Sequence, residues 1–87
     1  MALDFPNETR SYDAKGNRIR FWGYDRAMEI SFFVEAAALC ELDPDTRTDE
    51  AGYLETFDAA RDRIYETARK AYSRSGRAAY LLAAADF

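Results

Sequence analysis

The sequence predicts an α+β fold in a single domain that spans residues 1–87, and two observations support this class. Charged and bulky apolar residues alternate through the first third of the chain, with the period of two that is typical of strands. From about residue 54 the apolar residues recur at three- and four-residue intervals, which is the spacing of one helix face. A chain of this length suffices for one small core.

Turn residues separate the predicted strands. Asp13–Asn17 (DAKGN) lies between two strand-like runs, and Gly16 suits the left-handed position of a bulged hairpin turn. Gly23–Arg26 predicts a second turn. Alternation then assigns the strand residues to two faces. The face expected to form the core carries Ile19, Phe21, Met28, Ile30, Phe32 and Val34, and the other face carries Arg18, Arg20, Trp22, Tyr24, Glu29, Ser31 and Phe33.

Helices are predicted after the strands. Glu35–Leu42 (EAAALCEL) is rich in Ala and Leu, and it ends before Asp43-Pro44 because a residue that precedes proline avoids the helical region. Thr48 is a candidate N-cap of a longer helix that runs to about Arg74 and ends at Ser75-Gly76. The alanine content of the last segment, AAYLLAAADF, favours a helix, although a strand returning to the sheet would also suit its position and length.

Composition argues against several classes of function. The chain has no histidine, which excludes histidine acid/base chemistry and histidine-ligated metal sites. Its one cysteine, Cys40, forms neither an intrachain disulfide nor a zinc site, and the N-terminus does not resemble a signal peptide, so we expect a cytoplasmic protein. No apolar run approaches the roughly 18–20 residues of a membrane helix. A net charge of −4 argues against a dominant electrostatic contact with nucleic acid.

No metal or cofactor site is predicted. The acidic connection DPDTRTDE lacks the central glycine and the regular ligand run of a calcium loop. Cys40 is expected to be a small buried hydrophobe, since its neighbour Glu41 does not favour a thiolate. Tyr53, Tyr65 and Tyr72 flank the long helix's apolar stripe and are expected to pack their rings and expose their hydroxyls. The sequence therefore predicts no catalytic residue.

Several features together resemble the DUF1488 family of small bacterial proteins, which has no agreed activity. In chain order they are Phe5-Pro6, Arg10-Ser11-Tyr12-Asp13, Ile19-Arg20-Phe21, Glu29-Ile30-Ser31-Phe32-Phe33-Val34, the short helix around Leu39, Phe57-Asp58-x-x-Arg61-x-x-Ile64-x-x-x-Ala68, and Asp86. The resemblance implies an antiparallel sheet of about four strands, hairpin-rich in its N-terminal part, with one short and one long helix on one face. It also implies that Ala79–Ala85 returns to the sheet as a strand, and it carries over no catalytic residue.

Arg61 stands inside the apolar stripe of the long helix, which consists of Leu54, Phe57, Arg61, Ile64, Ala68 and Ala71. A guanidinium in such a position needs a partner, unless its stem packs and its head reaches water. We expect a structural ion pair, with Asp86, Asp13 or Glu35 as candidate partners, or an exposed head. The alternative is a site at which Arg61 binds the carboxylate or phosphate of a small molecule or anion.

Three large aromatics, Trp22, Tyr24 and Phe33, are predicted on the sheet face opposite the helices. An exposed aromatic cluster is typical of an interface, unless Leu3 and Phe5 or the C-terminal segment covers it. The sequence thus favours a non-enzymatic interaction or regulatory module that binds itself or another protein. The alternatives are an anion or small-molecule binder and a nucleic-acid-associated protein, which would use the basic end Arg69–Arg77 or stack bases on this face.

Overall fold

The computed structural model of the chain describes residues 3–87 and confirms the α+β class. The five strands are β1 (Leu3–Asp4), β2 (Arg10–Asp13), β3 (Arg18–Asp25), β4 (Met28–Glu35) and β5 (Ala79–Leu82). The helices are α1 (Ala36–Leu42), α2 (Glu50–Ala59) and α3 (Arg61–Ser75), and one 3₁₀ turn covers Ala84–Asp86. None of these helices is long and apolar enough to cross a membrane.

The sheet is mixed rather than wholly antiparallel. Its order is β1-β3-β4-β5, and β2 pairs with β3 beside β1. The β3–β4 hairpin supplies the longest ladder, and β1 and β2 add antiparallel pairs to β3. β5 returns to the sheet as the resemblance implies, but it pairs parallel to β4. A parallel neighbour requires a long crossover, which the three helices provide. The strand also ends at Leu82 and not at Ala85, where a 3₁₀ turn has already begun.

Both hairpin turns differ in detail from the prediction. The left-handed residue of the first turn is Asn17 (φ 49°) and not Gly16. Asparagine tolerates this conformation, and the Asn17 amide oxygen accepts a hydrogen bond from the Tyr12 hydroxyl at 2.7 Å. The second turn lies at Arg26-Ala27, with Arg26 left-handed (φ 59°). Gly23 lies inside β3, where a Cβ would come within 2.7 Å of the Asp4 carbonyl oxygen.

The prediction of a single long helix from Thr48 is wrong, because the helical segment is interrupted at Ala60 (φ −103°, ψ 14°), which separates α2 from α3. No glycine or proline marks this break. The N-cap is Asp49 and not Thr48, and its carboxylate accepts the Gly52 N–H at 2.6 Å. The predicted end is confirmed, since α3 stops at a left-handed Gly76.

The core lies between the helices and one face of the sheet, which we call the inner face. Its fully buried large side chains are Ile19, Phe21, Ile30, Phe32, Val34, Leu39, Phe57, Ile64 and Leu82. Phe21 joins the two layers, since its ring centroid lies 5.3 Å from Phe32 and 5.1 Å from Phe57. Met28 was expected in this core but is 53 % exposed, because it stands at the first position of β4 beside the hairpin turn.

Candidate functional site: the outer face of the sheet

The outer face is the side of the sheet that points away from the helices. Alternation along β3 and β4 places Trp22, Tyr24 and Phe33 on this side, and all three are half-buried. The N-terminal segment does not cover them, because Leu3 is buried in the core and the Phe5 ring stacks on Tyr65 at 4.0 Å. The buried residues of all three helices belong to the core on the inner face, so neither the N-terminal segment nor a helix within residues 3–87 covers the outer face.

Two arginines lie over two of these rings. The Arg18 guanidinium is 4.0 Å from the centroid of Phe33, and the Arg20 guanidinium is 4.6 Å from that of Trp22. Cations at this distance are attracted to the negative face of an aromatic ring. The three predicted aromatics do not stack on one another in the described chain; guanidinium groups lie over Trp22 and Phe33 instead.

Acidic and hydroxyl groups hold the two guanidinium groups in place. Arg18 Nε donates to Asp13 Oδ2 at 2.9 Å, and this hydrogen bond is the main reason that the pKa of Asp13 is lowered. Arg20 Nη2 donates to Ser31 Oγ at 3.3 Å and lies 3.7 Å from the Glu29 carboxylate. The arginines are therefore oriented before any partner binds.

β5 extends the outer face with an apolar residue. Leu81 is opposite Phe33 in the parallel ladder, and it is 52 % exposed. The outer face thus combines aromatic rings, arginines and one exposed leucine. Tryptophan and arginine are the residue types that most often dominate the binding energy of protein interfaces.

Arg61 begins α3 and finds its partners within the chain. Its side chain is only 14 % exposed. Its Nη1 donates to the Glu8 carbonyl oxygen at 3.2 Å and to the Tyr65 hydroxyl at 2.7 Å, and its Nη2 donates to Asp58 Oδ1 at 2.5 Å. Asp58 also accepts a bidentate pair from Arg10, at 2.9 and 2.8 Å. The Arg10 hydrogen bond is the largest cause of a lowered pKa of Asp58.

The three partners predicted for Arg61 are wrong. Asp13 pairs with Arg18, Asp86 accepts the Ala83 N–H at 2.7 Å, and Glu35 is the N-cap of α1. The true ionic partner stands only three residues before Arg61, on the other side of the helix break.

The surroundings of Arg61 do not favour an external anion. The groove beside it is lined by Glu8, Asp58, Ala59, Arg61 and Asp62. Three of these residues carry carboxylates, which repel a bound phosphate or carboxylate. The guanidinium also already donates to three acceptors of the same chain. The geometry is that of an internal tie between the helices and the segment before β2.

The other candidate residues have structural partners. The Tyr72 hydroxyl donates to Asp25 Oδ2 at 2.5 Å, and this bond is the main cause of the raised pKa of Tyr72. Tyr72 is itself buried, so the expectation that its hydroxyl is exposed is wrong, whereas the half-buried Tyr65 accepts a hydrogen bond from Arg61 at its hydroxyl. Cys40 is half-buried against the core rather than fully buried. In the basic end, Lys70 pairs with Glu66 at 3.2 Å and the Arg69 guanidinium lies 5.1 Å from the Phe5 centroid.

The sequence did not indicate that Arg10 and Asp58 meet, nor that Tyr72 reaches Asp25. Arg10 and Asp58 both belong to segments that carry the family resemblance, but 48 residues separate them. Within residues 3–87 no group of three carboxylate or cysteine side chains is arranged to ligate a metal ion.

Comparison with known proteins agrees with this fold. A sequence model of the family described as protein of unknown function, DUF1488, matches residues 3–82. The crystal structure of a protein of unknown function from the DUF1488 family of Shewanella loihica PV-4 superposes with a TM-score of 0.83. The two share 19 % sequence identity, and the match covers 92 % of this chain and 90 % of that chain. Such a likeness shows a common fold and no more. No curated protein matches the chain.

Proposed function

This chain belongs to the DUF1488 family of unknown function, and we propose that it is a small non-enzymatic interaction or regulatory module that self-associates through its sheet. The observation that carries the proposal is the outer face, where Arg18 and Arg20 are held over Phe33 and Trp22 and no helix of the described chain packs on top. The partner is a second copy or another protein. We place the protein in the cytoplasm, because its one cysteine suits a reducing compartment.

The energetics of recognition favour this surface. Binding energy concentrates on a few aromatic and arginine side chains that lose their remaining water on contact. Trp22 and Phe33 are half-buried already, so little conformational entropy is lost when a partner covers them. The ion pairs of Arg18 and Arg20 likewise orient the guanidinium groups in advance.

The charge distribution supports binding between identical copies. The outer face carries bases in Arg18 and Arg20 and acids in Asp13 and Glu29. A two-fold axis brings the same patch of both copies together, so a patch with both charge signs can place bases of one copy opposite acids of the other. A surface of one charge sign would instead repel its copy.

The pairing of the titratable groups supports a non-enzymatic role. Among the described residues, no buried side-chain nitrogen or oxygen lacks a hydrogen-bond partner. The groups whose pKa is shifted, Arg10, Asp13, Asp58 and Tyr72, each have a partner in the chain. Structural ion pairs and hydrogen bonds also shift pKa values, so these four shifts do not by themselves indicate an active site.

Multi-angle light scattering over a range of protein concentrations tests this proposal. We expect wild type to associate at tens to hundreds of micromolar, the range of small protein interfaces of about 5–6 kcal/mol. Trp22→Thr keeps strand propensity but removes the ring, and should weaken association at least about tenfold, or about 1.4 kcal/mol. Met28→Thr removes an exposed apolar side chain that is not on the outer face, and should leave association unchanged.

The proposal of self-association fails if wild type stays monomeric up to about 1 mM, where binding is weaker than about 4 kcal/mol. It also fails if both threonine variants weaken association equally, because the effect is then a general one of apolar surface. Melting temperatures of the variants show whether the fold is intact.

A further inference from the structure

The two edges of the sheet differ in their protection against pairing with another chain. One edge consists of β1 and β2, which have two and four residues with Pro6 between them. Natural sheets block edge pairing with short strands, proline and charged residues, and this edge has all three. The other edge is β5, whose sequence AYLL contains neither a charge nor a proline. β5 is therefore the open edge.

The parallel ladder determines which backbone groups of β5 face outward. The Ser31 N–H donates to the Ala78 carbonyl oxygen at 2.9 Å, which sets the phase of the ladder. Parallel strands use alternate residues for pairing with a given neighbour, so Tyr80 and Leu82 bond to β4. The N–H and C=O groups of Ala79 and Leu81 point away from β4. No other described strand pairs with them.

The chain itself closes both ends of this open stretch. The Arg77 N–H donates to the Tyr80 hydroxyl at 2.6 Å. At the other end, the Asp86 carboxylate accepts the Ala83 N–H at 2.7 Å. Two residues, Ala79 and Leu81, thus retain outward groups that another strand can use.

We propose that a second copy of this chain pairs with β5 in the antiparallel direction, about a two-fold axis at Tyr80, so that the two sheets become one. In this register Ala79 of each copy is opposite Leu81 of the other, and each pair exchanges two backbone hydrogen bonds. This register uses the outward backbone groups of Ala79 and Leu81, and it does not use the N–H groups of Arg77 and Ala83, which already have partners within the chain. It also leaves both outer faces on the same side of the joined sheet, where Leu81 continues the apolar surface.

Charge complementarity identifies the occupant as a second copy rather than an unrelated peptide. In the register centred on Tyr80, Arg77 comes opposite Ala83 of the other copy, beside the Asp86 carboxylate that holds the Ala83 N–H. Both Arg77 and Asp86 are exposed, and neither has an ion pair with another described residue. The two-fold axis therefore creates two Arg77–Asp86 pairs. Because the interface is short, we expect weak and reversible association.

This inference rests on the proposed self-association and adds a second contact, at the β5 edge, to the outer-face contact that Trp22→Thr tests. Sedimentation velocity of charge-reversed variants tests it. Arg77→Glu places two acids together at each end of a homodimer, and Asp86→Lys places two bases together. We expect each variant alone to associate at least about tenfold more weakly than wild type. In an equimolar mixture of the two variants, each heterodimer has one ion pair between the two substituted side chains and one native Arg77–Asp86 pair. Association in the mixture should therefore recover toward that of wild type.

A backbone variant provides a second test that involves no charge. Leu81→Pro removes an outward N–H and leaves the bonds of Tyr80 and Leu82 to β4 in place, as proline at a sheet edge allows. We expect it to weaken association at least about tenfold relative to Leu81→Thr, which loses the same apolar side chain of the outer face but keeps the N–H, with little change in melting temperature. This variant also decides the matter if Asp86→Lys does not fold, since Asp86 holds the Ala83 N–H.

The outcomes separate the two ideas. If wild type associates, and Trp22→Thr weakens association while the mixed charge variants and Leu81→Pro have no special effect, edge pairing is refuted and the proposed function stands. If wild type does not associate at all, both are refuted. Recovery in the mixture, together with loss in Leu81→Pro, supports the edge-paired dimer.

Discussion

Replacing Arg61 by methionine tests the conclusion that this charge ties the fold together. Methionine keeps an unbranched apolar stem of similar length, so most packing against Phe57 is retained. The variant loses the hydrogen bonds to the Glu8 carbonyl, the Tyr65 hydroxyl and the Asp58 carboxylate. It also loses the guanidinium's contact with the Phe57 ring, at 5.0 Å from the centroid.

The size of the effect follows from what each partner retains. A hydrogen bond to a charged group contributes about 1.5–3 kcal/mol when it is well buried. Asp58 keeps its bidentate pair with Arg10, and its side chain is 43 % exposed, so water screens much of the lost attraction. Removing a guanidinium that is mostly buried also relieves its desolvation cost. We therefore expect a net loss of about 1–2 kcal/mol, mainly from the Tyr65 and Glu8 acceptors.

Urea unfolding monitored by Trp22 fluorescence measures this loss, and a thermal melt should show a decrease of about 4–16 °C. Arg47→Met is the matched control, because Arg47 also pairs with an acid, Glu55, at 3.1 Å but is 59 % exposed. Exposed pairs contribute about 0–1 kcal/mol, so we expect a smaller effect there. The structural role of Arg61 is refuted if both variants lose the same free energy, or if Arg61→Met loses none.

Three further predictions concern the groups around this tie and the helix ends. The pKa of Asp58 is lowered, chiefly by the Arg10 hydrogen bond. Its contribution is therefore complete above the unfolded carboxyl pKa of about 3.9 and is lost as the pH falls through the lower folded value. The unfolding free energy of Asp58→Asn should thus fall less steeply with acid than that of wild type; parallel curves would contradict this. Gly52→Ala should destabilise by about 1–3 kcal/mol in urea unfolding, although alanine normally favours a helix, because its Cβ would lie 2.2 Å from the Arg47 carbonyl oxygen. A stabilised variant would contradict this, because it would show that the backbone at Arg47 moves away from the new Cβ at little cost. The pKa of Tyr72 is raised, chiefly by its hydrogen bond to the Asp25 carboxylate. The stability that this bond contributes is therefore complete below the unfolded tyrosine pKa of about 10 and is lost as the pH rises through the higher folded value. Ultraviolet titration should show one late-ionising tyrosine that Tyr72→Phe removes, and an unchanged titration would contradict the assignment.

Local sequence patterns predicted those features of the fold that depend only on the geometry of the strand or helix in which a residue lies. Alternation along β3 and β4 assigned Ile19, Phe21 and Phe32 correctly to the core, because the period of two follows directly from the strand geometry. It failed for Met28, which is exposed at the first position of β4 beside the hairpin turn. The family resemblance, and not propensity, placed a strand at the C-terminus, where an alanine-rich segment favours a helix by itself.

Features that depend on distant segments were not predictable. The four-residue sequence of β5 does not indicate whether the strand runs parallel or antiparallel to its neighbour. Only the structure shows that β5 pairs parallel to β4. The break at Ala60 has no local cause in composition, and the contacts that surround it, such as Arg10 with Asp58, join segments far apart in the chain. The candidate site shows the same limit. The sequence placed Trp22 and Phe33 on the outer face, but not the arginines over their rings.

The arginines of this chain fall into two groups whose effects are separable by experiment. Arg61 lies mostly buried and shares a carboxylate with Arg10, so its loss should change the free energy of unfolding. Arg18 and Arg20 are more exposed and lie over rings that face away from the core. Their loss should change association more than stability, since exposed pairs contribute little to the fold. If instead Arg20→Ser lowered stability as much as Arg61→Met and left association intact, the outer face would be a structural surface and not an interface.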